Sequence, residues 1–173
     1  MPTRQGSAVQ MTRAPVFFLT AVGAARVVGG PPAPAAPLLL IFHSHLGADT
    51  AFDMNAALRQ HYPNIEQLLI ASVVDLHHIP RFMRAAVELS LAAAYRNAAK
   101  QLPEHLDPTE YVLIAPDWTG KVTSAFAMGQ RANDVGFVLV TKQWTIFDSY
   151  TGPDPVVAVQ EVVLAGMNST ATA

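Results

Sequence analysis

Cysteine is missing altogether from these 173 residues. Disulfides, thiolate metal sites and thiol catalysis are therefore excluded for this chain, although the absence says nothing direct about compartment. Charge is sparse as well: 11 Lys and Arg against 13 Asp and Glu leave a formal net charge of -2. No polybasic surface follows from that, so nucleic-acid binding, which depends on phosphate neutralisation and counterion release, is not expected. Long apolar runs are missing too. None approaches the roughly 20 residues that a membrane-spanning helix needs, and no membrane partner is expected. Apolar residues as such are plentiful, at 51%, enough over this length to bury one sizeable core.

Near the N-terminus, Arg4 and Arg13 precede an apolar stretch, residues 16–25, with the outline of a short export signal. The same region also reads as two strands, residues 16–19 and 27–28, about a turn at Gly23. The hairpin is the preferred reading and implies a cytoplasmic protein, with export through an N-terminal signal as the alternative. Residues 1–13 and 166–173 read as flexible tails around a single domain spanning 14–165. Prolines 31, 32, 34 and 37 remove donors and fix φ, which makes residues 29–37 a surface connector.

From Leu38 onward strand and helix signals alternate, the mark of an α/β domain. Residues 38–42 form a continuous apolar run of the kind covered on both faces, and residues 68–74 form a second, ending in Asp75. Between them Asp49 or Thr50 is expected to cap a helix running to about Gln60, with Asp53 in its first turn. The two strand ends are expected side by side. Residues 80–102 read as one long helix with an apolar stripe at Met83, Val87, Leu91, Ala94, Ala98 and Leu102, and with Arg84 on the polar face in an i, i+4 pair with Glu88. A strand at 111–115, a turn at 117–120, a short helix at 121–128 and a hairpin of strands 136–140 and 144–147 follow. Asp154 and Pro155 supply the cap and first-turn proline of a last helix.

That order resembles the thioredoxin-like superfamily, specifically its redoxin branch of peroxiredoxin-like and TlpA-like domains. The likeness rests on residues 39–53 as the junction of strand and active-site helix, on Asp117-Trp118-Thr119-Gly120-Lys121-Val122-Thr123-Ser124-Ala125-Phe126 as the family's Asp-x-x-Gly turn and helix, and on 136–152 as its final hairpin. It implies a three-layer α/β/α sandwich with a mixed central sheet, preceded by the N-terminal hairpin and carrying a long inserted helix. It also implies two active-site cysteines. If Phe42 aligns with the aromatic residue ending the family's first core strand, Gly47 and Thr50 stand where those cysteines would be, and Asp134-Val135-Gly136 stands where the family has a cis-proline. Disulfide exchange and thiol peroxidase activity are excluded, since a hydroxyl does not cycle through a sulfenic acid.

A redox-inactive binding or scaffold module is the leading reading. Its candidate ligand or partner site lies at the carboxyl edge of the sheet and comprises His43, His45, Asp49, Asp75 and Trp118, where α/β proteins commonly place sites. No cofactor is expected on this reading. A second reading makes His43, His45, His77 and His78 ligands for zinc or copper, although adjacent histidines in loops usually point apart into solvent. A third is an unassigned hydrolase or isomerase with Ser44 or Thr50 as nucleophile and a histidine, Asp49 or Asp75 as base; the bland alternative is that both hydroxyls satisfy backbone donors at the helix start. Trp118 and Trp144 each sit beside a turn, where packing is the simpler role. The alanine-rich helix at 80–102 offers shallow grooves for a protein partner or a second copy, or else covers a sheet face of its own domain.

Overall fold

A computed structural model describes residues 12–23, 26–30, 35–129 and 134–170. Its centre is a five-stranded mixed sheet in the order β5-β4-β3-β6-β7. The strands are β3 (Leu38–His43), β4 (Leu69–Asp75), β5 (Ile114–Asp117), β6 (Gly136–Val140) and β7 (Ile146–Thr151), preceded by a hairpin of β1 (Leu19–Thr20) and β2 (Val27–Val28). β3 pairs in parallel with β4 and antiparallel with β6, so every one of its residues is buried, as a continuous apolar strand requires.

Side-chain alternation along β3 divides the core in two. Leu39 and Ile41 face helices α1 (Ala48–His61) and α5 (Pro155–Thr170), meeting Met54, Leu58, Val159 and Val163. Leu38, Leu40 and Phe42 face the N-terminal segment and α4 (Lys121–Ala125), meeting Phe17, Val122, Phe126 and Trp144. Phe126 lies 5.5 Å edge-on from Phe17 and 5.5 Å from Phe42, so an aromatic cluster ties the N-terminal segment to the sheet. Trp144 is buried in the same cluster, which gives it the packing role. The hairpin also shields an edge: the Val22 amide donates to the Ile114 carbonyl on β5.

Several elements depart from the sequence reading. The long helix is shorter at its start, with a 3-10 turn (Arg81–Met83) leading into α2 (Arg84–Gln101). No residue of α2 is buried, so it rides outside the core, with the ring of Tyr95 against Gly23 of the hairpin turn. Arg84 is not on the solvent face in a pair with Glu88; its guanidinium lies 5.1 Å from the centre of the Trp118 ring. The strand expected at 111–115 begins at Ile114, because α3 (Pro108–Tyr111) takes the preceding residues, capped by Asp107 through the Thr109 amide. Neither Asp49 nor Thr50 caps α1: Gly47 holds that place, Asp49 and Thr50 lie inside the first turn, and Asp53 lies beyond it. α5 runs to Thr170, past residue 166 where the tail was expected, and Asp154 before it has φ 56°, in the left-handed region.

Candidate functional site

The parallel pairing of β3 and β4 brings their carboxyl ends level, His43 opposite Val74. Beyond those ends lies a cavity of about 230 Å³ lined by Phe42 and His43 of β3 with Ser44 just after it, and by Asp75 of β4 with His77 and His78 in the turn that follows. Thr123, Gly129 and Asp134 close its far wall. Of the residues proposed from sequence, the cavity thus gathers His43, Asp75, His77 and His78. His45 is exposed on the turn that follows β3, Asp49 is exposed in the first turn of α1, and Trp118 lies beneath Arg84 instead.

His43 is 7% exposed. Its Nδ1 lies 2.8 Å from the Ser44 carbonyl oxygen, which can only accept, so Nδ1 carries the hydrogen and Nε2 the lone pair. Burial pushes the imidazole pKa below its ordinary value, with the Ser44 carbonyl opposing that shift. The unfolded chain therefore takes up a proton near pH 6.5 that the folded chain refuses until lower pH. Stability from this group is complete above that range and is lost as pH falls through it. Urea unfolding at about pH 7.5 and about pH 5.5 is expected to show that loss, and His43→Asn to shrink it. Equal losses in the two proteins would mean that His43 titrates as an exposed histidine.

Asp75 and His77 form a second unit. One carboxylate oxygen, Oδ1, accepts both the His77 amide at 3.2 Å and its ring Nδ1 at 2.7 Å. Accepting Nδ1–H leaves the lone pair of neutral His77 at Nε2, the same tautomer as His43. The other carboxylate oxygen, Oδ2, faces Gly129, where an added Cβ would lie 3.3 Å from it and 2.6 Å from Thr123 Cγ2. With φ +80° as well, that position favours glycine. The His77 and His78 rings stand nearly perpendicular, at 83°. Among the described residues no group of three or more His, Asp or Glu side chains is placed to hold a metal ion. His45 is separated from His43 because the strand stops at His43 and a 3-10 turn (His45–Gly47) begins, which ends the alternation that could have put both rings on one face.

Ser44 Oγ accepts the Leu46 amide at 3.2 Å and so caps that turn, the backbone role weighed against nucleophilic chemistry. The turn delivers Gly47, buried at the start of α1. A Cβ placed on Gly47 would lie 2.6 Å from Val135 Cγ2 and 3.0 Å from His43 Cβ, so the position aligned with a first cysteine is closed by packing as well as by identity. Thr50 sits one turn on, half-buried and outside the cavity lining.

Asp134, Thr123 and Gly129 escaped the sequence reading. Asp134 was legible only as part of a lost proline position. Thr123 is held from across the Asp117 turn, its amide and hydroxyl donating to Asp117 Oδ2 at 2.8 and 3.0 Å.

No family model matches this sequence, and no curated protein matches it. Solved structures do. A Chlorobium tepidum chain assigned as the thiol:disulfide interchange protein DsbE superposes with TM-score 0.59 at 16% identity, over 93% of this chain and 99% of that one. DsbF of Mycobacterium tuberculosis gives 0.57 at 14% identity, over 88% and 98%, and the exposed lipoprotein thioredoxin Etrx1 of Streptococcus pneumoniae gives 0.58 at 12%, over 86% and 98%. The fold is therefore thioredoxin-like, here in a chain without any cysteine. Among the described residues no helix is long and apolar enough to cross a membrane. With an exposed lipoprotein among the neighbours, the fold itself gives no weight to a cytoplasmic placement.

Proposed function

We propose that this chain is a thiol-independent binding domain, in which the cavity between the ends of β3 and β4 takes the place of a dithiol site. One observation carries the reading: Gly47 is sealed under Val135, while the cavity beside it remains open and keeps a buried imidazole, His43, in its wall. A fold kept only for its shape would gain stability by filling that space with apolar side chains, since buried polar groups cost free energy unless matched. Retaining His43, Asp75 and Asp134 there fits a site that meets a polar ligand.

The reading is tested by titrating a mixed library of neutral, cationic and anionic fragments while following the imidazole nitrogens of His43 and His77 by NMR. Fragments that move both sets of signals and compete with one another are expected. A library that collects elsewhere on the protein, or nowhere, sinks the proposal.

Two further readings each have an observation on their side. The Asp75 and His77 pair, at 2.7 Å, is a carboxylate orienting an imidazole, the arrangement that a general base uses in hydrolysis or isomerisation. α2 supports an interaction module instead: the helix has no buried residue, Leu89 is 72% exposed on it, and Phe82 is 87% exposed in the turn before it.

A further inference from the structure

We infer that the partner of α2 is a second copy of this chain, whose helices α1 and α5 receive it. The inference rests on the interaction reading of α2 and is independent of the cavity. Strand order places the surfaces. The path from β3 to β4 to β5 steps one way across the sheet, so two right-handed parallel crossovers put α2 on the same side as α1. α5 shares that side, because it packs with α1 in one core cluster. The outer surface of this helical layer has two parts. Around α2 it is basic and apolar: Arg81, Arg96 and Lys100 are exposed there against Glu88 alone, together with Phe82 and Leu89. Around α1 and α5 it is acidic and apolar. α5 buries Val159, Val162 and Val163 on one side, yet on the other, at i, i+4 and i+7, it presents Val157 (59% exposed), Glu161 and Leu164 (56%). α1 adds an exposed stripe of Asp49, Phe52 and Asp53.

These charges are not spent inside the chain. Among the described residues none of them forms an ion pair, and the undescribed residues hold no Asp or Glu that could pair with α2. Neither α1 nor α5 has a lysine, and their one arginine, Arg59, already donates to the Tyr62 and Leu68 carbonyls and lies over the Tyr111 ring. Charge then selects the pairing. α5 set antiparallel against its own copy would bring Val157 to Leu164 but Glu161 close to Glu161, and α2 set against α2 would bring Arg81 to Lys100. Basic α2 against acidic α1 and α5 avoids both repulsions and covers the exposed apolar side chains of each. Two copies related by a two-fold axis make that contact twice, which closes the assembly as a dimer. The 18 residues of α2 span roughly 27 Å, so two such contacts bury on the order of 1,200 Å² in total, the low end for a stable interface. A dimer of micromolar affinity is expected.

The test is sedimentation equilibrium on the intact chain from about 1 to about 300 μM, at low salt and at about 1 M NaCl, where charges more than about 3 Å apart are screened. A monomer–dimer equilibrium that salt weakens by about tenfold is expected. Arg96→Glu with Lys100→Glu is expected to be monomeric, and so is Asp53→Lys with Glu161→Lys. Mixed in equal amounts, the two variants are expected to associate again, because each then brings the sign that the other lacks. Leu89→Ser and Leu164→Ser, both on solvent faces, are each expected to weaken the dimer by about tenfold and to leave the urea midpoint in place. A wild-type chain that stays monomeric throughout overturns the second copy and leaves α2 to a different protein. Association that survives both charge reversals lies elsewhere on the surface and overturns the inference and the interaction reading of α2 together. Reversed variants that unfold at the wild-type urea concentration, lose association and do not regain it on mixing overturn the charge pairing and with it the inference. Should a reversed variant fail to fold, the two serine variants decide, and unchanged association in both overturns it.

Discussion

Asp117→Ala is expected to lower the unfolding free energy by about 2–4 kcal/mol, a large share of the margin of an ordinary domain. The carboxylate is 1% exposed at the end of β5. It accepts three donors: the Thr123 amide at 2.8 Å, the Thr123 hydroxyl at 3.0 Å and, more weakly, the Thr119 hydroxyl at 3.3 Å. At the start of α4, Gly120 occupies the cap with φ 67° and has no side chain to offer, and the Thr119 hydroxyl accepts only the Lys121 amide, at 3.3 Å. The carboxylate therefore serves as the cap from three residues upstream, and its charge is favoured by the positive end of α4. α4 carries Val122, and Phe126 follows it, both in the core under Phe42, so losing the cap also loosens the aromatic cluster. Removing the acceptor leaves a buried amide without a partner, which costs about 1–3 kcal/mol by itself. Asp117→Asn keeps one oxygen and is expected to lose less. Chemical denaturation of both variants and of Thr123→Val gives the coupling directly. A loss under about 0.5 kcal/mol for Asp117→Ala, the level of an ordinary surface change, would show that the turn holds without its carboxylate.

The Asp-x-x-Gly turn was legible in sequence, and its energetics were not, because Thr123 lies six residues from Asp117 and only the turn brings them together. The same contrast runs through the molecule. β3 and β4 could be read because unbroken apolar runs bounded by proline and by polar residues have few alternatives, and their parallel pairing follows from the helix between them. α3 carries a readable signal, with Asp107 as the cap and Pro108 in the first turn. α2 is legible in part. Val87, Leu91, Ala98 and Leu102 of its apolar stripe are half-buried, whereas Met83 and Ala94 are exposed and no residue of the helix is fully buried, because its many alanines give little contrast between faces. At the site, sequence placed the histidines at the right edge but could not tell that β3 runs one residue further, to His43. That extra residue buries the His43 ring and leaves His45 outside.

Restoring cysteines at the aligned positions is expected not to restore dithiol chemistry. Electrostatics alone would favour it. A thiol at position 47 would stand at the start of α1, where the helix N-terminus lowers a thiol pKa, with Asp49 in the first turn opposing part of that effect. Packing decides the other way. Gly47 is buried, and its Cβ direction runs into Val135 Cγ2 at 2.6 Å and His43 Cβ at 3.0 Å. A side chain there must displace Val135, itself 4% exposed in the core that includes Phe137 and Met54, and the sulfur would still be covered by it. Thiol exchange needs in-line access to the attacking sulfur, so a covered thiolate remains idle whatever its pKa. Gly47→Cys with Thr50→Cys is therefore expected to reduce insulin disulfides no faster than the dithiothreitol background, and to unfold about 1–3 kcal/mol more easily, as overpacked cores do. Adding Val135→Ala is expected to return part of that stability, whereas Val135→Ala alone should cost stability, so the two changes compensate only together. A Gly47→Cys and Thr50→Cys protein with unchanged stability and catalytic insulin reduction would mean that the dithiol site is still intact in shape. The cavity beside it would then be a remnant of redox chemistry, and the proposed binding role would lose its principal support.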